Sequence, residues 1–177
     1  MKYNGVIMNN IKLIILDVDG TLTDGKIYYD NNGNEIKAFN AKDGMAISQA
    51  IKNGINISIV TGRRSSIVDR RAKELGIKYV YQGINSKVEI LDKLLCKLQL
   101  DINEVMYIGD DINDIEIMKK LKHSACPKDA VEEVKEISEI VSSKNGGEGA
   151  VREIIEIILK DQKKWVNIIT KYNGISQ

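Results

Sequence analysis

The chain predicts an α/β fold, a Rossmann-like doubly wound parallel sheet with helices on both faces. Three observations carry the prediction. Short apolar runs alternate with segments of helical period along most of the sequence. Several helical segments stop at glycines, as at Gly54 and Gly76. The polar motifs fall just after the apolar runs, beyond Leu16, Val60, Tyr81 and Ile108. Strand–helix alternation implies a parallel sheet covered on both faces. In such sheets ligands bind at the carboxyl ends of the strands.

The elements follow in order. Ile11–Leu16 reads as a buried strand, and Gly20-Thr21 as the turn after it. Lys26–Tyr29 and Glu35–Phe39 flank the polar run Asp30–Asn34, which predicts a β-hairpin inserted after the first strand, at about residues 24–39. A helix is expected over Asp43–Asn53 and a strand over Ile55–Val60. Next come a helix from about Ser65 to Leu75, a strand over Ile77–Tyr81 and a helix over Ser86–Leu98. Val105–Ile108 is a strand, Ile112–Leu121 a helix, and short strands near Ser124–Cys126 and Glu139–Val141 enclose another helix. Residues 1–160 form one domain, and 161–177 an appended tail. In that tail Trp165, Ile168, Ile169 and Tyr172 repeat at helical spacing.

Composition sets outer bounds. A chain of 177 residues suffices for one domain with a full core. Its 43% apolar and 29% charged residues are ordinary for a globular protein. A net charge of +1 gives no reason to expect nucleic-acid binding. No apolar stretch is long enough to span a membrane. The first residues lack the pattern of a signal peptide, so the expected location is cytoplasmic. Cys96 and Cys126 match no metal or disulfide pattern and are expected as buried free thiols. His123, the single histidine, lies in a Lys-rich stretch and is expected at the surface.

The first strand ends in Asp17-Val18-Asp19-Gly20-Thr21. Strand alternation would put Asp17 and Asp19 on one side, their Cα atoms roughly 6–7 Å apart. Two such carboxylates repel each other and resist desolvation. A hard metal ion beside phosphate chemistry explains them economically. The next core strand leads into Thr61-Gly62-Arg63, whose hydroxyl and backbone N–H groups suit a phosphate. Lys87 follows near the start of a helix. A later strand ends in Gly109-Asp110-Asp111-Ile112-Asn113-Asp114. Helix capping explains one or two of those acids, but not three.

This order of motifs resembles the haloacid dehalogenase superfamily of phosphatases, over about Ile11–Val141. The resemblance implies that Asp17 is the nucleophile that accepts the phosphoryl group, and Asp19 the general acid and base. It implies Mg²⁺ held by Asp17, the backbone carbonyl of Asp19, and Asp110. Thr61 and Lys87 would hold the phosphoryl oxygens, with Asp111 and Asp114 in the outer shell of the metal.

The spacings between these motifs leave no room for an inserted cap domain. A capless site needs another wall, and a second subunit at the hairpin would supply it. Further matches resemble the capless, tetrameric 3-deoxy-D-manno-octulosonate 8-phosphate phosphatase family. They include Asp24-Gly25, Phe39–Gly44, Arg71, Gln82-Gly83 and Gly146–Glu153, and extend the likeness to about Leu159. That family implies a sugar acid phosphate substrate and a homotetramer with shared active sites. Its substrate-binding positions fall here on Asp19, Asn40, Ala41, Lys42, Asp43, Gly44, Gly62, Arg63, Arg71 and Lys87. In related enzymes the tail closes a neighbour's site. Family members often carry Arg at Lys42 and at Ser48. Phosphatases of nine-carbon sugar acid 9-phosphates tend to have Glu at Arg63 and Lys at Glu74, which this chain lacks. The DxDGT strand end argues against a receiver-type signalling domain, and the intact acids argue against a silent binding module.

Overall fold

The computed structural model describes residues 2, 3, 5 and 8–174. The strands are β1 (Lys2–Tyr3), β2 (Leu13–Leu16), β3 (Tyr28–Tyr29), β4 (Glu35–Ile36), β5 (Asn56–Thr61), β6 (Tyr79–Gln82), β7 (Val105–Ile108), β8 (His123–Cys126) and β9 (Ile140–Val141). The helices are α1 (Ala41–Lys52), α2 (Ser66–Leu75), α3 (Lys87–Leu98), α4 (Ile115–Lys120), α5 (Glu132–Ile137), α6 (Ala150–Asp161) and α7 (Trp165–Tyr172).

The main sheet runs β1-β9-β8-β7-β2-β5-β6. Every pair from β9 to β6 is parallel, and only β1 is antiparallel, at the β9 edge. From β2 the chain moves outward through β5 to β6, then crosses back to β7 on the other side of β2. That reversal places a crevice at the carboxyl ends of β2, β5 and β7, where open α/β sheets bind ligands.

Alternation along the strands sorts two cores. Ile14 and Leu16 of β2 join Ile57, Ile59, Met106 and Ile108 under α1, α2 and α6. Leu13 and Ile15 join Val60, Val105 and Tyr107 under α3, α4 and α5. The expected covering on both faces is therefore met.

The elements differ from expectation in places. The paired part of the hairpin is two residues per strand, β3 against β4, because Asp30 closes the turn by accepting from the N–H groups of Asn32 and Asn34. The segment read as one helix from Ile112 is a 3-10 turn, Ile112–Asp114, followed by α4. β1 had no signal in the sequence. His123 is 1% exposed, not at the surface, since Nδ1 meets Glu139 at 2.8 Å across the β8–β9 edge. Cys126 is buried as expected, but Cys96 is exposed. It lies off the stripe of Val88, Leu91 and Leu94 that α3 buries.

Candidate active site

Asp17 follows β2 directly. Its N–H donates to the Ile108 carbonyl at 3.0 Å, which ties it to β7. The chain then turns: the N–H groups of Thr21, Leu22 and Thr23 all point at the Val18 carbonyl. The strand ends at Leu16, so its alternation does not reach Asp19, and the two carboxylates have separate partners. Asp17 meets Lys87, whereas Asp19 meets Lys37 and Arg63.

Lys87 opens α3 behind the Ser86 cap. Its ammonium lies 3.1 Å from Asp17 Oδ2, donates to Tyr107 Oη at 2.9 Å, and donates to Asp114 Oδ1. Tyr107 donates to the same Asp114 oxygen at 2.6 Å. The other Asp114 oxygen accepts from the N–H groups of Asp110 and Asp111 at 2.9 and 3.3 Å. Asp114 thus ties the lysine to the loop after β7. Thr21 Oγ1 donates to Asp110 Oδ1 at 2.8 Å. Gly20, at φ +89°, lets this loop approach, since a Cβ there would run into Asp110 Oδ2.

Carboxylate oxygens of Asp17, Asp110 and Asp114 lie within 4.8 Å of one another. Burial pushes Asp17 up to about 6, against the pull of Lys87. Burial pushes Asp110 up to about 7, with the Thr21 bond opposing and Asp17, Asp114 and Asp111 adding repulsion. Burial alone would lower Lys87, but Asp17 and Asp114 outweigh it and hold the ammonium above its usual range. Asp17 Oδ1 is buried and has no hydrogen-bond partner among the described residues. An orphaned anionic oxygen within a cluster of hard donors fits a divalent cation such as Mg²⁺.

Thr61 ends β5 and is buried. A Cβ at Gly62 would meet nothing closer than the Ile84 carbonyl at 3.8 Å, so the fold itself does not require glycine there. Asp111 is exposed and caps the 3-10 turn through the Ile112 N–H at 2.7 Å. Asp19 lies in a charge network with the hairpin. Lys37 pairs with Asp19 and with Glu35, and Arg63 reaches Glu35 Oε1 at 3.1 Å and Asp19 Oδ2 at 3.7 Å.

The residues expected to face substrate along α1 also have work within the chain. Asn40 caps α1 through the Lys42 N–H and donates to the Gly147 carbonyl. Asp43 is buried, and its Oδ1 accepts from the Arg152 N–H at 2.7 Å, at the start of α6. Ala41 and Lys42 are exposed. Arg71 lies with its guanidinium 5.9 Å from the Phe39 ring centre and hard against Gly44, where a Cβ would clash with Nη2. Arg71 Nε is buried without a hydrogen-bond partner among the described residues. Gly146 packs so closely on the Gly20 carbonyl that a Cβ there would overlap it, which makes the glycine-rich segment a wall of the loop after β2.

The cluster therefore gathers Asp17, Lys87, Asp110 and Asp114, and Asp19 and Arg63 meet the hairpin through Lys37 and Glu35. Sequence reasoning missed Tyr107, Glu35 and Lys37. The only signal for the last two was the alternation of the run Glu35–Phe39, which puts Glu35 and Lys37 on one face.

Comparison with known proteins agrees with this geometry. The family model of haloacid dehalogenase-like hydrolases matches residues 14–85 and 79–155. The chain is 43% identical over 155 residues to the 3-deoxy-D-manno-octulosonate 8-phosphate phosphatase KdsC of Escherichia coli K12, covering 88% of this chain and 82% of that protein. A crystal structure of the phosphatase of that name from Moraxella catarrhalis, in complex with magnesium, phosphate and a KDO molecule, superposes with a TM-score of 0.91 at 39% identity, over 93% of this chain and 95% of the other. The cobalt-bound enzyme from Haemophilus influenzae gives a TM-score of 0.90 at 35% identity, over 97% of this chain and 100% of the other. The chain belongs to the haloacid dehalogenase-like hydrolases and, within them, to the capless 3-deoxy-D-manno-octulosonate 8-phosphate phosphatase family.

Proposed function

We propose that the protein is a Mg²⁺-dependent phosphatase that hydrolyses 3-deoxy-D-manno-octulosonate 8-phosphate to the free sugar acid and phosphate. The observation that carries the reading is Asp17: a buried carboxylate at a strand end, one oxygen held by Lys87 and the other unpartnered. Asp17 attacks phosphorus and the bond from phosphorus to the sugar oxygen breaks, which leaves an aspartyl phosphate. Asp19 gives its proton to the departing alkoxide. It then takes a proton from the water that attacks phosphorus, releasing phosphate and restoring Asp17. Lys87 and Thr61 hold the phosphoryl oxygens, and Lys87 keeps its charge because Asp17 and Asp114 favour it. Asp17, Asp110 and the Asp19 backbone carbonyl would hold Mg²⁺, with Asp114 and Asp111 fixing the loop around it. When bound, the ion offsets the carboxylate charge so that a phosphate dianion approaches Asp17.

The sugar acid half falls to Lys42, Arg63 and Arg71, with the α1 start at Asn40–Gly44 and the open step at Gly62. A guanidinium suits a 2-keto carboxylate because its planar fork binds both oxygens. Arg63 is 44% exposed, so it is within reach of a ligand. We assign the working form as a cytoplasmic homotetramer with shared sites, and residues 161–177 as an appended tail. No helix among the described residues is long and apolar enough to cross a membrane.

The test is phosphate release from a panel of sugar phosphates with and without Mg²⁺. The eight-carbon sugar acid phosphate is expected to have the highest kcat/KM, chelation to silence the enzyme, and Asp17→Asn to abolish turnover while keeping the fold. Multiple turnover by purified Asp17→Asn protein overturns the mechanism. A nine-carbon sugar acid 9-phosphate ahead by more than tenfold overturns only the substrate, and would trace to the missing arginine at Ser48.

A further inference from the structure

The reaction as derived leaves one buried cation without a task. Lys37 follows β4 directly, and its side chain is 2% exposed, whereas Arg63 beside it is 44% exposed. A lysine this buried is rare unless paired. Its Nζ has two acceptors, Asp19 Oδ1 and Glu35 Oε1, the latter at 3.3 Å. Glu35 also takes Arg63 Nη2 at 3.1 Å, and Arg63 Nε lies 3.7 Å from Asp19 Oδ2. Two cationic side chains and two carboxyl groups thus close a ring.

Within the ring the roles differ. Arg63 faces solvent and is open to a ligand. Lys37 is shielded, so a ligand does not replace its partners. Glu35 anchors the ammonium from the hairpin side, which makes Nζ a fixed point for Asp19. Asp19 needs one. Its side-chain relative exposure is 22%, and it sits beyond the end of β2 on a turn. Proton transfer demands heavy atoms about 2.6–3.2 Å apart. A misplacement of about 1 Å costs up to roughly a hundredfold in rate.

We propose that Lys37 is a positioning residue for proton transfer: it sets the rotamer of the Asp19 carboxylate and so links the hairpin to the leaving-group step. The inference rests on the reading of Asp19 as the acid and base. It adds a residue from the hairpin to the machinery, one that does not touch the substrate.

The test uses the full chain with Mg²⁺ and a series of substituted phenyl phosphates. None carries a carboxylate, so a change in how Arg63 grips the sugar acid does not enter. kcat/KM reports the step in which the phenoxide leaves, and a nitrophenoxide needs less help from an acid than a phenoxide. For Lys37→Met, kcat/KM for phenyl phosphate is expected to fall about tenfold and that for 4-nitrophenyl phosphate less than about threefold. Asp19→Asn should show the same skew, larger, and Lys37→Met added to it should not deepen the skew. Equal losses on both esters in Lys37→Met reduce Lys37 to a structural part and overturn the inference. No skew in Asp19→Asn overturns the acid–base reading instead. If Lys37→Met does not fold, Lys37→Arg keeps the charge and displaces the donor. A smaller skew in the same sense supports the role, and none overturns it.

Discussion

Asp17 and Asp110 carry a conflict that the fold alone does not resolve. Burial lifts them to about 6 and about 7, far above the 3.8 of a free carboxyl. Between these values the native chain binds more protons than the unfolded chain, so stability falls as pH rises. The loss runs through about 6 and about 7 and is complete only well above the latter, where both groups are ionised in the folded state. A cation that binds the ionised pair acts in the opposite sense, by mass action on the native state. Mg²⁺ is therefore expected to raise the melting temperature more at pH 8 than at pH 5, and chelated protein is expected to melt lower at pH 8 than at pH 5. Calorimetry at the two pH values checks both. An equal Mg²⁺ shift at each would detach these carboxyls from the metal. Of this cluster, Asp17 and Asp110 are legible in the sequence because each follows an apolar run at a strand end, and Lys87 because it stands near the start of a helix between them in the order of motifs. Tyr107 is not, since a tyrosine within the apolar run Val105–Ile108 looks like core, and only the fold brings its hydroxyl to Asp114. His123 misleads for a related reason: its neighbours in sequence are lysines, but its neighbour in space is Glu139.

Elements are legible where the physics is local. β2, β5 and β7 lie between two helical layers, so they read as continuous apolar runs. α1, α2 and α3 show caps or stops in the chain itself: Asn40 and Ser86 cap α1 and α3 with their side chains, and Gly76 ends α2 in the left-handed region. Short elements such as β1 and the two-residue hairpin strands have too few residues to set a period. The tail is the instructive case. Its apolar stripe suits packing on its own domain or on a neighbour. Ile168 is 4% exposed and packs into the core beneath α1 and α6, and Arg152 stacks over Trp165 at 4.8 Å. Tyr172 Oη takes a hydrogen bond from Gln49 at 3.0 Å, yet Ile169 is 40% and Val166 71% exposed. One edge of α7 thus packs at home and the other is bare. Ile168→Ala is expected to cost about 2 kcal/mol of stability, the low end for a buried isoleucine because the helix is terminal. Ile169→Ala is expected to cost less than about 0.5 kcal/mol. Urea unfolding of the two variants separates them. A large loss at Ile169 would mean that the bare edge is covered in solution.

At the scale of the molecule, the feature left unsatisfied is the hairpin. Ile27 is 49%, Tyr29 63% and Ile36 52% exposed, and all three stand on or beside an isolated two-stranded sheet. Such a hairpin is marginal by itself in water. Its root is held by the Lys37 and Arg63 ion pairs, but nothing in the described chain covers its apolar side chains. Tyr28 and Ile36 share one face and Tyr29 points from the other, and an exposed apolar patch on both faces of a hairpin suits an interface. The same hairpin borders Asp19, at the mouth of a site that no cap domain encloses. Association through it would cover the patch and wall the site at once. The chain is therefore expected to form a closed homo-oligomer, with the tetramer as the state that the family resemblance implies. Light scattering at micromolar concentration checks this, and a purely monomeric wild type would refute it. The double variant Ile27→Asp, Ile36→Asp should dissociate, because buried unpaired carboxylates are costly at an interface. If the wall matters for the sugar acid, kcat/KM for the sugar phosphate should fall at least tenfold in that variant. Phenyl phosphate, which needs the acid for its leaving group but carries no sugar acid to grip, should lose less. Equal losses would instead place the hairpin's contribution in the chemistry, through Lys37 and Asp19, and not in the grip on the substrate.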